Sequence, residues 1–474
     1  MRLHPMFRAG AGAAIAASSL AVVALAGPLA ATPASAATNC SASALPKGPT
    51  NITFWEGMTS TNWTLIKNIV KAFNASQTRV HVTDVNQSGG YVSTWDDYLS
   101  SIGTSNEPNV VMLDQSITQG AVDSKSMIPI ATCVAGTRYS TKTFAKKAIL
   151  AETSAGKLQG LPYSVSAPIL IYNKNNFTAA HIKTPPATIA AMAADAKKMK
   201  GTSYKYGGTT YKDTDGMTLS IDPSNFQVWL GTANDYYVNQ ENGRIGRATG
   251  AAYDTPTGKA VFTDLQRLEK AGDVTMNPDS GPTTTAYANL YAIGGGTSGM
   301  TISTSATLGT ILADLPLFKN VKLGVAEMPR VTTTVTGGVQ PGGNALWMPS
   351  HSDASSAKAA ASWEFIQYLD SAVNMAKWDV GTGYVPIRSD AASQPTMKAF
   401  WKKYPSLKAA YTEISSGKVD NSTAGPLLGC YYQVSDDMVT YMDKLFSNSL
   451  SPDTALAQAA AQTTKDIKAY NLSL

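Results

Sequence analysis

Gly160-Leu161-Pro162-Tyr163-Ser164-Val165-Ser166-Ala167-Pro168-Ile169-Leu170-Ile171-Tyr172-Asn173-Lys174 is the stretch on which the fold turns. Within it, Ile169-Leu170-Ile171-Tyr172 has the length and the β-branched, apolar character of a buried strand. Toward the N-terminus, Ile52-Thr53-Phe54-Trp55, Val80 to Val85 and Val110 to Leu113 read as further strands. Between them, Leu65, Ile66, Ile69, Val70 and Phe73 recur at helical spacing behind a Ser/Thr/Asn cluster able to cap. A second helix is expected from Trp95 to Ile102, ended near Gly103 and the Asn106-Glu107-Pro108 turn. Toward the C-terminus, helices are expected at Ala187 to Lys200, Val261 to Lys270, Ser355 to Leu369 and Thr454 to Tyr470. Strands are expected at Gly299 to Ser303, Val321 to Met328 and Ala345 to Met348. Alternation of this kind predicts α/β units around a largely parallel sheet, in two lobes between which the chain passes more than once.

Arg2 and Arg8 precede an apolar run from Ala9 to Ala31 that ends in Ala34-Ser35-Ala36. Positive, then apolar, then small-x-small is the order of an export signal, so residues 1–36 are set aside and the mature chain is expected to begin at Ala37. Without the two leader arginines the 38 basic residues become 36 against 33 acidic ones. No dense basic block is present, which argues against nucleic acid as a partner. Of the three cysteines, Cys40, Cys133 and Cys430, an exported chain can oxidise two. Cys40 with Cys133 is the expected disulfide, although spacing alone leaves the connectivity open. Cys40 as a lipid-attachment site is disfavoured because Asn39, immediately before it, is not a small residue.

The quoted stretch, a G-x-P segment followed by an apolar strand and Tyr-Asn-Lys, resembles the first inter-lobe crossing of the extracellular solute-binding proteins of ABC carbohydrate importers. Other segments agree in order: Phe54-Trp55, Gly299-Met300-Thr301 before a Ser/Thr cluster, Gly342-Gly343 before Leu346-Trp347, Thr382-Gly383-Tyr384-Val385-Pro386-Ile387, Tyr404-Pro405, and Ser451-Pro452 with Ala455-Leu456. The resemblance implies a two-lobed α/β periplasmic-binding-protein-like fold of type II, with a ligand cleft and a multi-strand hinge. It places residues 37–163 and 321–370 in an N-terminal lobe, and 164–320 and 371–474 in a C-terminal lobe. It also implies an exported, monomeric receptor that delivers a small carbohydrate or polyol to importer permeases, without a cofactor or metal.

Positions carried over from the glycerol-3-phosphate-binding branch give Tyr91, seventeen residues before Pro108, and Gln115, seven after it, with Asp114 adjacent. The first-crossing serine falls on Ser166, the Ser/Thr cluster supplies Ser303, Thr304 and Ser305, the Gly-Gly turn supplies Gly343, and the Thr-Gly-Tyr segment supplies Tyr384. Trp55 and Trp229 are added on chemistry as flat faces for sugar C–H groups. Each has a plainer reading. Trp55 suits a core, Asp114 a helix cap, Ser166 a hinge spacer, Gly343 a turn and Tyr384 local packing; Tyr91, after Gly89-Gly90, looks like a loop residue. One departure bears on the ligand. Where the phosphate-binding branch carries proline and then arginine, this chain has Tyr432 and Ser435, and Gln115 replaces an acidic residue. Arginine is the natural bidentate partner of phosphate, so its loss shifts the expectation to a neutral sugar, oligosaccharide or polyol.

Catalytic patterns are weak. His4, His81, His181 and His351 form no zinc-binding spacing, and no G-x-S-x-G elbow occurs. Ser355-Ser356-Ala357-Lys358 satisfies S-x-x-K but opens an Ala-rich helix, where serine is an ordinary cap. Gly294, Gly296 and Gly299 satisfy G-x-G-x-x-G but precede a strand rather than open a helix. Paired carboxylates have spatial rather than sequential spacing, so a secreted glycan-active enzyme remains the alternative, alongside a receptor for a glycerol-phosphate derivative. Mass spectrometry of the exported protein should find Ala37 as the first residue; a mature chain retaining the apolar run would overturn the leader assignment.

Overall fold

In the computed structural model, which describes residues 38–277, 285–313, 318, 321–334 and 337–474, Leu161–Ser166 and Pro168–Asn173 are two strands separated by Ala167 alone. The leader assigned to residues 1–36 lies outside the described residues. The strands that frame the molecule are β1 (Thr50–Glu56), β2 (Val80–Asn86), β3 (Val110–Asp114), β4 (Met127–Ile128), β5 (Leu161–Ser166), β6 (Pro168–Asn173), β7 (Met217–Ser220), β8 (Val274–Asn277), β9 (Met300–Thr304), β10 (Leu323–Glu327) and β11 (Gly342–Pro349). One sheet runs β2-β1-β3-β11-β4 with β5 also paired to β11; a second runs β9-β6-β10, and β7 pairs β8. The architecture is mixed α/β and two-lobed, and the quoted stretch hands the chain from the first sheet to the second.

The expected parallel pairing holds only in part. β1 lies parallel to β2 and to β3, because the helices Ser60–Ser76 and Gly90–Ser101 supply the crossovers that parallel neighbours need. β11 is antiparallel to β3, β4 and β5, and β6 is antiparallel to β9 and β10. β11 rejoins the first sheet after an excursion through the other lobe and so arrives from the opposite end.

The faces of the first sheet follow from strand alternation. Ile52 and Phe54 point toward the helices Ser60–Ser76 and Ser356–Leu369, where Phe54 and Phe73 each lie 5.2 Å from Phe365. Trp55 falls on the opposite face, beside a cluster of Trp95, Tyr98, Val111, Leu113 and Trp347. β3 is apolar on both faces because both are covered. Side chains of this size contribute about 1.5–3 kcal/mol each when buried, so these packed faces set the register of the strands whose ends form the site.

Two joints hold the crossings. At the first, Ala167 N–H donates to Ser305 Oγ at 3.1 Å, and Ser305 N–H donates back to Ala167 O at 2.8 Å. At the return, Gly343 has φ +104°, and a Cβ there would sit 1.9 Å from Ser164 O, so only glycine fits against β5. The crossings differ from the expected limits. The first falls at Ala167, not at residue 163, and β10 pairs with β6, which moves the return beyond Glu327 instead of at 321. The segment after 371 is also not wholly with the second lobe, since Val385 N–H donates to Val165 O and Ile387 O accepts from Ala145 N–H.

Cys40 and Cys133 form a disulfide with Cα atoms 5.2 Å apart, fastening the N-terminal segment to the helix Ile130–Thr137, while Cys430 is free. Ser355 caps its helix by accepting from Lys358 N–H, and Lys358 Nζ donates to Asn51 O, so the S-x-x-K spacing is structural. The disulfide closes a loop of 93 residues of separation. Replacing both cysteines by serine should therefore lower unfolding stability by about 4–5 kcal/mol on the chain-entropy account, measured by urea denaturation; an unchanged midpoint would show that the staple is dispensable.

Candidate ligand-binding cleft

Between the lobes lies a cavity of about 510 Å³, within the size range of small-molecule sites. Its walls are strand ends and helix starts. Asp114, Gln115 and Ser116 follow β3, Ser166 ends β5, and Gly342 and Gly343 open β11. Pro168 opens β6, Ser220 ends β7, and Ser303 and Thr304 end β9. The helix Pro223–Thr232 brings Asp222, Asn225 and Gln227, and the helix Tyr431–Phe446 brings Tyr431, Tyr432, Ser435 and Asp436. Gathering loops at the carboxyl ends of strands, where topology switches, is how open α/β proteins make ligand crevices.

Tyr91 sits in the first turn of the helix Gly90–Ser101 rather than in a loop. The helix starts early because Gly89, at its N-cap, adopts φ +106°. Tyr91 and Tyr384 hydroxyls are 2.7 Å apart, and Tyr384 stacks on Trp378 at 5.9 Å and 11°. Asp114 accepts from Ser116 N–H at 2.9 Å and from Ser116 Oγ–H at 2.5 Å, so its carboxylate both caps the short turn Gln115–Ile117 and faces the cavity. Gln115 Nε2 donates to Ala424 O at 3.4 Å across the lobes. On the second lobe, Asp222 accepts from Ser224 N–H at 2.8 Å as the N-cap of its helix, and Gln227 Nε2 donates to the Tyr431 hydroxyl at 3.0 Å. Tyr431 and Tyr432 meet edge to face with centroids 6.0 Å apart, giving the cavity two crossed ring planes.

Of the residues expected at the site, Tyr91, Asp114, Gln115, Ser166, Ser303, Thr304 and Gly343 line this cavity. Four do not. Trp55 packs on the Trp95/Trp347 cluster, and Trp229 is 1 % exposed with its indole N–H donating to Pro329 O at 2.9 Å, so neither is a stacking face. Ser305 is fully buried and serves the joint at Ala167. Tyr384 stands one layer back and reaches the cleft through Tyr91. The aromatic faces are tyrosines: Tyr91, Tyr431 and Tyr432. Tyr431, Asp222, Gln227 and Gln340 were not anticipated. Asp222-Pro223-Ser224 is a helix-start signal that marked the position of a cap but not the cleft it opens on; Tyr431 and Gln340 carry no local signal.

Among the described residues no Lys, Arg or His lines the cavity, whereas Asp114, Asp222 and Asp436 do. Burial is the largest influence on all three and raises each carboxyl above its ordinary value; hydrogen bonds from Ser116 and Ser224 oppose it at the first two, and Asp437 adds to it at the third. Asp114 and Asp222 keep open edges yet are enclosed by protein, as groups in a cleft are. The half-buried Arg244 is committed elsewhere, donating to the carbonyls of Leu150, Ala151, Thr153, Ala424 and Gly425.

A family model described as bacterial extracellular solute-binding protein matches residues 68–409. The sn-glycerol-3-phosphate-binding periplasmic protein UgpB of Pectobacterium atrosepticum is 25% identical over 433 residues, covering 90% of this chain and 93% of its own. Among solved structures, UgpB from Mycobacterium tuberculosis in complex with glycerophosphocholine superposes with a TM-score of 0.72 at 14% identity, over 90% of this chain and 100% of that one. The cyclic alpha-maltosyl-1,6-maltose binding protein from Arthrobacter globiformis gives 0.69 at 20% identity, over 89% and 100%. Trp229→Ala should cost about 3–5 kcal/mol of stability, as large core truncations do, read from denaturant midpoints; a stable variant with impaired ligand binding would return Trp229 to the cleft.

Proposed function

The chain belongs to the bacterial extracellular solute-binding protein family, and we propose that it captures a small hydroxylated ligand without phosphate, a sugar, oligosaccharide or polyol, for delivery to the permeases of an ABC importer. The observation that carries the ligand class is the cavity wall: hydroxyl, amide and carboxylate groups beside tyrosine rings, with no cation among the described residues. Hydroxyls of a sugar donate to carboxylates and accept from amides, while its C–H faces lie on aromatic rings. A phosphate would find no arginine or lysine in this wall. Members of the family bind and release solutes; they are not enzymes.

Walls contributed by both lobes give closure its driving force, because contacts to both exist only when the ligand joins them. The protein acts outside the cytoplasmic membrane as a monomer. Retention through a lipid on Cys40 is disfavoured on two counts, the preceding Asn39 and the engagement of Cys40 Sγ with Cys133. The relatives that bind glycerol phosphate or its diester supply the second reading, which the same assay separates.

Calorimetry and thermal unfolding with mono- and disaccharides, polyols, glycerol 3-phosphate and glycerophosphodiesters provide the test. A cognate ligand at a hundredfold excess over Kd should add about 2.7 kcal/mol of stability and change intrinsic fluorescence on closure. Tyr431→Ala and Gln115→Ala should each weaken it about tenfold or more, on the scale of lost hot-spot contacts. Binding confined to the phosphorylated members would replace this reading with the second, and mass-spectrometric turnover of any member would refute a receptor role.

A further inference from the structure

Resting on the cleft proposed above, we infer that the preferred ligand carries a positive charge on its hydroxylated body, a protonated amine or a quaternary ammonium group. Three carboxylates face one cavity from two lobes: Asp114 from the end of β3, and Asp222 and Asp436 from the helices of the second lobe. None belongs to an ion pair of the described residues, whose surface and hinge pairs involve other acids such as Asp123, Asp370 and Glu413. Among the described residues, the donors held by Asp114 and Asp222 are the neighbouring serines. Their fields converge, since both Asp114 and Asp222 act on the Tyr431 hydroxyl and help burial push it up. Asp436 has Asp437 beside it, which adds to the negative potential.

An uncharged ligand would leave this potential uncompensated as the lobes close, because closure carries carboxylates of opposite walls toward each other in a shrinking volume of water. A cation between them removes that cost and supplies an attraction available only in the closed state. The rings are suited to the same group, for a tyrosine face attracts an ammonium and shields it from solvent. Tyr91, Tyr431 and Tyr432 bring three such rings to the cavity.

The test is titration calorimetry of the full mature chain with matched sets: glucose, glucosamine and glucose 6-phosphate; sorbitol, glucamine and sorbitol 6-phosphate; and choline alone. The amine of each set should bind at least about tenfold more tightly than its neutral parent, a gap that narrows as salt screens the charges, and the phosphorylated member should bind most weakly. Choline binding more tightly than glucamine would assign the quaternary group, and the reverse order the protonated amine. Asp222→Asn and Asp436→Asn should each pull the amine-to-parent affinity ratio toward one, with folding checked by circular dichroism. Neutral parents binding as tightly as their amines, or a ratio untouched in both variants, would overturn the charge inference while leaving the sugar-receptor reading intact. If no member of the panel binds, the charge inference falls, while the sugar-receptor reading passes to the disaccharides of the wider panel.

Discussion

The reciprocal hydrogen bonds between Ala167 and Ser305 are the constraint around which the molecule is arranged. With one residue between β5 and β6, the chain has no slack at the crossing, so the end of one sheet and the start of the other are fixed within a few ångströms. Ser305, immediately after β9, ties the neighbouring strand of the second lobe to the same point. Ser166, Pro168, Ser303 and Thr304 thereby arrive together at the cavity floor. Gly343 completes the joint by letting β11 approach β5 more closely than any side chain would allow.

The site reuses groups that the fold needs for other reasons. Asp114 and Asp222 are caps, holding the turns that follow β3 and precede the helix Pro223–Thr232, and their remaining oxygen lone pairs face the cavity. Capping fixes the carboxylates before any ligand arrives, which lowers the ordering cost of binding. Tyr432 has a similar double position, one side on the Trp95/Trp347 cluster and one on the cleft. Charge accumulates in such a cavity because each carboxylate is justified locally, by a cap or a helix face, and nothing local requires a cation.

Much of the frame was legible along the chain, because periodicity depends only on which residues must be buried. Ile169 to Tyr172, Val110 to Leu113, and the helices from Ser355 and Thr454 all appear within a few residues of their expected limits. The pairing direction of β11 was not legible, since an apolar run reads the same in either direction. In the site, the resemblance to the glycerol-3-phosphate-binding branch, counted from Pro108, led to Tyr91 and Gln115 with Asp114 beside it, all three cavity residues. Choosing tryptophans for the stacking faces missed the cavity because the chemistry that suits a sugar also suits a core: burial took Trp229, and packing on the Trp95/Trp347 cluster took the half-buried Trp55.

The sequence by itself determined the two-lobed α/β class, a cysteine pair able to oxidise, and a likeness to the extracellular solute-binding proteins. Those properties rest on local patterns and on the order of segments, both of which survive without coordinates. Only the tertiary structure decided that Tyr431, Asp222, Asp436 and Gln340 meet Tyr91 and Asp114 in one cavity whose described lining holds no cation. Residues more than three hundred positions apart share that wall, and no local pattern encodes a juxtaposition created by the return of the chain through its hinge.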